Sequence, residues 1–286
     1  MVYPAMGLTK RQLAAYYEAV ADQMVPHVAG RPLTLVRCPR GQGGPCFVQK
    51  HAGGQFPEQV RELRVSGGPS GEVDYPMVET AAGLVSLVQM GTLEVHAWVA
   101  RTPHLDRGPD RLVFDLDPDE GLPWARVAAA ARVVRDELEG LGLRSFVKTT
   151  GGKGLHVVVP VEGAPWDDAL AFSRRVAEGL AAERPGEFTA HMAKAERGGK
   201  VFIDYLRNAR GSIVVAPYST RAKPGAPVSM PLAWEALGRA KPEAWSAERV
   251  LARLAESRGG GPWAGWAEAS GQRLPALPRP RAKRAR

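Results

Sequence analysis

The sequence predicts an α/β sandwich whose sheets carry their loops at one end. Short apolar runs of strand length alternate with longer stretches of helical periodicity. Several of the strand-like runs stop at Asp, Gly or Pro, and no internal repeat interrupts the order.

The first element is a helix expected from Thr9 to Val25, with Leu13, Tyr16, Tyr17, Val20 and Met24 on one face. Thr9 and Gln12 have the spacing of a capping box, in which each side chain bonds the other residue's amide. Leu33 to Arg37 and Cys46 to Lys50 read as two short strands separated by a Pro/Gly loop, and residues 51 to 75 as loops with a short hairpin. A helix from Glu79 to Met90 stops at Gly91 and leads into a strand from Leu93 to Val99. The strand Arg111 to Asp117 ends in Pro118-Asp119-Glu120-Gly121. Pro123 then stands where a first-turn proline belongs, before a helix from Trp124 to Leu141.

Ser145 to Thr150 and Leu155 to Val161 form an expected strand pair joined by Gly151-Gly152-Lys153-Gly154, followed by a helix from Trp166 to Glu183. Strands Val201 to Tyr205 and Ser212 to Ala216 precede a Pro-rich connector from Pro217 to Pro231. Short helices near Pro231 to Leu237 and Ser246 to Ser257 close the ordered part. The expected division is therefore a catalytic-sized domain over 1–258 and a flexible Gly/Pro-rich tail over 259–286 that ends in a basic run.

Of the 286 residues 44% are hydrophobic, which excludes a disordered chain. No stretch approaches the roughly 20 apolar residues of a membrane span, and no signal-peptide pattern opens the chain, so the expected location is cytoplasmic. Cys38 and Cys46 are spaced so that a disulfide is possible, but in the cytosol two reduced thiols are expected. Thirty-eight Lys and Arg against thirty Asp and Glu give a net charge of +8, which suits a polyanionic partner such as nucleic acid.

Five segments carry candidate chemistry. On a strand, Asp115 and Asp117 point to the same face, so two hard carboxylates converge where a Mg²⁺ or Mn²⁺ ion would relieve their repulsion. The alternative is two solvated residues at a strand end. Lys148 to His156 contains three glycines around Lys153, a backbone open to anions with Thr150 as a further donor. It lacks the Lys-Ser/Thr pair of a Walker loop. Asp204 follows three apolar strand residues, as Asp115 does, and is either a third carboxylate or a turn cap. Arg221 and Lys223 could face a triphosphate together or form a solvated loop. Glu94, His96 and Trp98 alternate on one strand face. Together the five match in-line nucleotidyl transfer: carboxylates for two divalent ions, an anion loop, and cations for the phosphates.

Eight blocks in order make the chain resemble the polymerase domain of bacterial ligase D, of the archaeo-eukaryotic primase superfamily: LTKRQLAAYY, RPLTLVRCPRG, FVQKHA, LEVHAW, LVFDLDP, KTTGGKGLHVVVP, FIDYLRNARG and VAPYSTRAKPGAPVSMPLAW. The resemblance implies a primase-polymerase fold, two β-sheets flanked by helices with the active site in the cleft between them. It implies Asp115, Asp117 and Asp204 as catalytic metal ligands for two Mn²⁺ or Mg²⁺ ions. It places Thr150, Lys153, His156, Arg207, Arg221, Lys223 and His96 at the incoming NTP or dNTP, with ribonucleotides preferred. Thr150 stands where the family has Ser, and Lys223 where some relatives have Arg, which exchanges a bidentate fork for a point charge.

The resemblance further implies gapped or broken duplex DNA bearing a 5′-phosphate as partner, with Arg37, Arg40 and Lys50 as candidate phosphate contacts. A pair of template-stacking rings is reduced here to Phe47, with Val48 beside it. Ku and ligase modules are partners implied by family alone. The chain holds no KxDG ligase motif and no phosphoesterase-like His cluster. A primase, a nuclease using the same carboxylates and a non-catalytic DNA-end binder are the competing readings. They differ in synthesis without a primer, in degradation without NTP, and in metal-independent binding.

Overall fold

A computed structural model describes residues 1–53, 56–68, 71–240, 245–256 and 261–276. In chain order its elements are α1 (Lys10–Ala19), α2 (Ala21–Val28), β1 (Leu33–Arg37), β2 (Phe47–Gln49), β3 (Arg61–Gly68), β4 (Gly71–Met77), α3 (Ala81–Gln89), β5 (Thr92–Trp98) and β6 (Arg111–Pro118). They continue with α4 (Trp124–Gly140), β7 (Phe146–Thr149), β8 (Leu155–Pro160), α5 (Trp166–Glu183), β9 (Phe188–Thr189), β10 (Val201–Asp204), β11 (Ile213–Val215), β12 (Pro231–Leu232), α6 (Ala247–Glu256) and α7 (Trp266–Ala269). The expected α/β class is present: a four-stranded sheet in the order β11-β5-β1-β2, a six-stranded sheet in the order β12-β7-β8-β6-β10-β9, and the separate hairpin β3-β4.

The capping box is present, with the Gln12 amide donating to Thr9 Oγ1 at 3.2 Å and the Thr9 amide to Gln12 Oε1 at 2.9 Å. The helix it opens is two helices, because Val20 leaves helical geometry at φ −93°, ψ 1°. Pro26, inside the second, supplies no amide to the ladder, so an unbroken apolar pattern here does not mean unbroken hydrogen bonding. The hairpin extends to Met77, further than expected. Pro231 and Leu232, expected to begin a helix, form an edge strand paired with Lys148 and Val147, a position where the missing proline N–H costs nothing. A 3₁₀ turn over Trp234–Ala236 follows.

The six-stranded sheet has two unlike faces. Leu112, Phe114, Leu116, Val147, Leu155, Val157 and Val159 point one way and are buried in the main core with Val127, Ala131 and Val134 of α4 and Phe172, Val176 and Leu180 of α5. Burying side chains of this size stabilises by about 1.5–3 kcal/mol each. The opposite face of β6 reads Arg111, Val113, Asp115, Asp117. Its lower part packs with Phe146, Val158, Val99 and Val214 in a second core shared by both sheets. Its upper part is charged.

Two further expectations are corrected. The tail was expected to be flexible from residue 259, yet Trp263 is buried, stacks on Trp266 with ring centroids 4.9 Å apart, and donates Nε1–H to the Val147 carbonyl at 2.8 Å. Two tryptophans outweigh the loop-like Gly/Pro composition around them. The run Pro278 to Arg286 lies outside the described residues. Cys38 and Cys46, expected as reduced thiols, are joined in a disulfide. The antiparallel register pairs Arg37 with Phe47, so the next residues outward, 38 and 46, face one another with Cα atoms 4.3 Å apart. Closing this short loop restricts the unfolded chain, and reduction or a Cys38→Ser, Cys46→Ser double variant is expected to lower stability by about 2–3 kcal/mol. Thermal melts with and without reductant on the wild type and the variant measure it; an unchanged wild-type midpoint on reduction would contradict it.

Candidate active site

Strand register assembles the charged patch. Lys148 on β7 lies opposite His156 on β8, His156 opposite Asp115 on β6, and Asp115 opposite Asp204 on β10. Directly opposed residues share a face, so one row crosses four strands as Lys148, His156, Asp115, Asp204, with Asp117 two residues beyond Asp115 on the same side. The three expected carboxylates are thus brought together.

Each carboxylate has a cationic or imidazole partner. Arg207, on the turn after β10, places its Nε 3.1 Å from both Asp115 Oδ2 and Asp204 Oδ2. His156 Nε2 lies 3.4 Å from Asp115 Oδ1. Asp117, exposed, pairs with Arg197 at 3.0 Å. Burial would raise the Asp115 carboxyl, but His156 and Arg207 outweigh it and hold it at about 2. Burial, reinforced by Lys148, pushes His156 down to about 4 against the pull of Asp115, so at neutral pH its ring is uncharged and Arg207 is the cation that keeps Asp115 ionised. Asp204 is shifted the other way: burial and the charge of Asp115 raise it, with Arg207 opposing.

Lys148 is completely buried and donates to Ser229 Oγ at 2.6 Å; burial drives its ammonium well below the ordinary lysine range. Sequence reasoning missed Lys148 as a member of the row, although strand parity with His156 would have found it. It also missed Arg197, whose only signal is a cation in the Gly-rich turn before β10. Asn208 was quoted only within a motif. Fully buried, it accepts the Val113 amide at Oδ1 (2.7 Å) and donates to the Val113 carbonyl (2.9 Å), locking the Arg207 turn onto β6.

The expected anion loop faces the row. Thr150 Oγ1 donates to the Gly154 carbonyl at 3.2 Å, closing the Gly turn. Gly151 has φ +67° and Arg221 packs over it, so a Cβ there would meet the Arg221 side chain at 2.6 Å. Arg221 Nη1 donates to the Thr150 carbonyl. Lys223 Nζ lies 3.1 Å from where a Cβ on Gly152 would stand, so both expected cations sit on this loop. Arg221 is held from below by Glu94, which is 2.9 Å from its Nε, accepts the Ala222 amide at 2.8 Å and lies 2.8 Å from His96 Nε2. Burial opposes ionisation of Glu94, but His96 and Arg221 prevail and bring it to about 2. His96 therefore positions the Arg221 loop through Glu94 and joins the two sheets at the cleft. Lys153 makes only an exposed bridge to Glu120 at 3.1 Å, which leaves its ammonium available to another anion.

The candidate DNA-contacting residues form a separate group on the four-stranded sheet. Phe47 and Val48 are exposed, 47% and 59% accessible, at the sheet's edge strand, and Lys50 and Arg40 are exposed beside them. Arg37 differs: it donates Nε and Nη2 to the Met90 carbonyl and Nη1 to Gln49 Oε1, and its guanidinium lies 5.3 Å from the Phe47 ring. Its donors brace the Phe47 strand.

Among the described residues no three His, Cys, Asp or Glu side chains stand close enough to hold a metal ion. The donor set nevertheless fits one, with three hard carboxylates on one face, two of them already gathered around a single cation. No helix of the described residues is long and apolar enough to cross a membrane.

Residues 9–263 match the family model described as LigD, primase-polymerase domain. The multifunctional non-homologous end joining protein LigD of Pseudomonas aeruginosa is 40% identical over 269 residues, covering 93% of this chain and 32% of that protein. LigD of Mycobacterium bovis is 38% identical over 263 residues, covering 89% and 34%. The polymerase domain from Mycobacterium tuberculosis ligase D, solved in complex with DNA, superposes with a TM-score of 0.83 at 36% identity, covering 90% of this chain and 92% of that one. The chain spans about a third of the length of these full-length relatives.

Proposed function

The chain belongs to the LigD primase-polymerase domain family, and we propose that it is a template-directed nucleotidyltransferase that fills gaps or extends ends at DNA breaks in non-homologous end joining. It uses two divalent ions, Mn²⁺ or Mg²⁺, and prefers ribonucleotides. The observation that carries this reading is the row of carboxylates facing a cation-lined Gly loop across one cleft.

Asp115, Asp117 and Asp204 would hold the ions, which supply charge neutralisation at the attacking 3′-hydroxyl and at the leaving pyrophosphate. An ion there competes with Arg207 for the Asp115 and Asp204 oxygens. Thr150, Lys153, Arg221 and Lys223 bind the triphosphate, and the Glu94 and His96 pair fixes Arg221 in that task. Neutral His156 orients Asp115 and offers a hydrogen bond without adding charge. Phe47 stacks on template bases, while Lys50 and Arg40 meet DNA phosphate, including the 5′-phosphate of the gap. The DNA in the M. tuberculosis neighbour supports a nucleic-acid partner. Ku and ligase modules follow from the names of the relatives.

The test is extension of a primer across a gapped duplex with a 5′-phosphate, comparing NTP with dNTP and Mn²⁺ with Mg²⁺. Metal-dependent addition of one or a few nucleotides, faster with NTP, is expected. Degradation of the DNA without NTP, or dinucleotide formation on unprimed single strands, would point instead to a nuclease or a primase.

A further inference from the structure

At the opposite end of β6 from Asp115 and Asp117 the structure contains a second polar cavity, of about 480 Å³. Its cationic lining is Arg31, Arg101, Arg107 and Arg111 with His104, against two carboxylates, Asp110 and Glu162. Trp266 of the C-terminal segment forms one wall. None of these residues belongs to the row around Asp115 or to the Gly loop.

The guanidiniums are not equivalent. Arg31, 1% exposed, forms a fork with Asp110 at 2.7 and 2.5 Å and has a structural role. Arg101 shares the same carboxylate at 3.2 Å. With Asp110 so occupied, Arg111 is left 3.7 Å from one of its oxygens and, among the described residues, donates no hydrogen bond. It is 4% exposed and lies over the Trp266 ring at 5.4 Å. Arg107, exposed on the rim, has no charged partner among the described residues. A buried guanidinium whose donors face a cavity is costly unless an anion completes it. Four guanidiniums against two carboxylates leave the cavity with surplus positive charge.

We propose that this cavity is an anion site that takes a phosphate group, with Arg111 at its base and Arg101 and Arg107 at its mouth, separate from the triphosphate site at the Gly loop. Planar guanidiniums suit the tetrahedral oxygens of phosphate. The phosphate could belong to a free polyphosphate or to a nucleic-acid backbone, because the recognising chemistry is the same.

Titration calorimetry with inorganic triphosphate, in the presence of EDTA, tests the site on the full chain. Wild type is expected to show two binding events. An Arg101→Glu, Arg107→Glu variant should lose one and keep the other, with affinity for the lost site falling about tenfold or more. An Arg221→Ala, Lys223→Ala variant should lose the complementary event. The rim variants alter exposed residues, so an unchanged melting temperature certifies their fold; Arg111→Met supplies the base of the site if it folds. A parallel titration with a short single-stranded oligonucleotide separates the sources. Loss confined to the oligonucleotide assigns the site to nucleic-acid backbone, and loss confined to triphosphate assigns it to a free anion. If the rim variant binds both as wild type does, the proposal is overturned. That result would leave the extension activity at the Asp115 row untouched.

Discussion

Asp115→Asn is expected to reduce nucleotide addition about a thousandfold or more while leaving the fold intact. Asp115 is the centre of the row, flanked by His156 on one strand and Asp204 on the other, and it shares Arg207 with Asp204. Asn keeps the size and a hydrogen-bonding oxygen but removes the charge on which a divalent ion and Arg207 both depend. It also relieves the repulsion that raises Asp204, so stability should change little. Two measurements decide the outcome: single-nucleotide addition to a gapped duplex, and Mn²⁺ binding followed by electron paramagnetic resonance. If Asn at this position still bound Mn²⁺ and extended the primer at near wild-type rate, Asp115 would not be a metal ligand.

The second large effect concerns stability. Arg31 is fully buried, forks onto Asp110 and also donates to the Trp98 carbonyl at 3.3 Å, so one ion pair ties the turn before β1 to the end of β5 and the start of β6. Asp110→Ala leaves that guanidinium buried without its counter-charge and is expected to cost about 3–5 kcal/mol in urea unfolding. The pair also sets an acid dependence. Burial would raise Asp110, but Arg31 and Arg111 hold it at about 2, below the ordinary aspartate value of about 3.9. A carboxyl lowered on folding contributes fully above its unfolded pKa, and that contribution falls away as pH drops from about 4 through 2. The difference corresponds to about 2.5 kcal/mol. Urea unfolding of wild type and Asp110→Asn between pH 2 and 5 reads it directly. Parallel curves for the two proteins would show that the pair contributes no acid dependence.

How much of this was legible in the chain differs from element to element. Asp115 and Asp117 could be placed on one face because strand periodicity is local. The capping box at Thr9 and the first-turn proline at Pro123 could be placed for the same reason. The Gly turn after Thr150 was readable as an anion-accessible hairpin, although nothing local says that Arg221 lies over Gly151. Arg37 was misleading: its charge suggested a phosphate contact, whereas three of its donors are taken by Met90 and Gln49. The thiols were misread because compartment was weighed above register, and the pairing of Arg37 with Phe47 brings positions 38 and 46 together.

Residue types and short-range spacing were enough to determine the α/β class, the nucleotidyl-transfer chemistry and most of the residues that carry it. Tertiary structure alone decided which cation meets which carboxylate: Arg207 between Asp115 and Asp204, Arg197 on Asp117, and Glu94 beneath Arg221. It alone also showed that Trp263 folds back into the space between the sheets and that Arg111 is buried beside a cavity. The physical reason is range. Periodicity and capping act within a few residues, whereas these pairings join positions far apart in sequence, and strand register and burial set their energies.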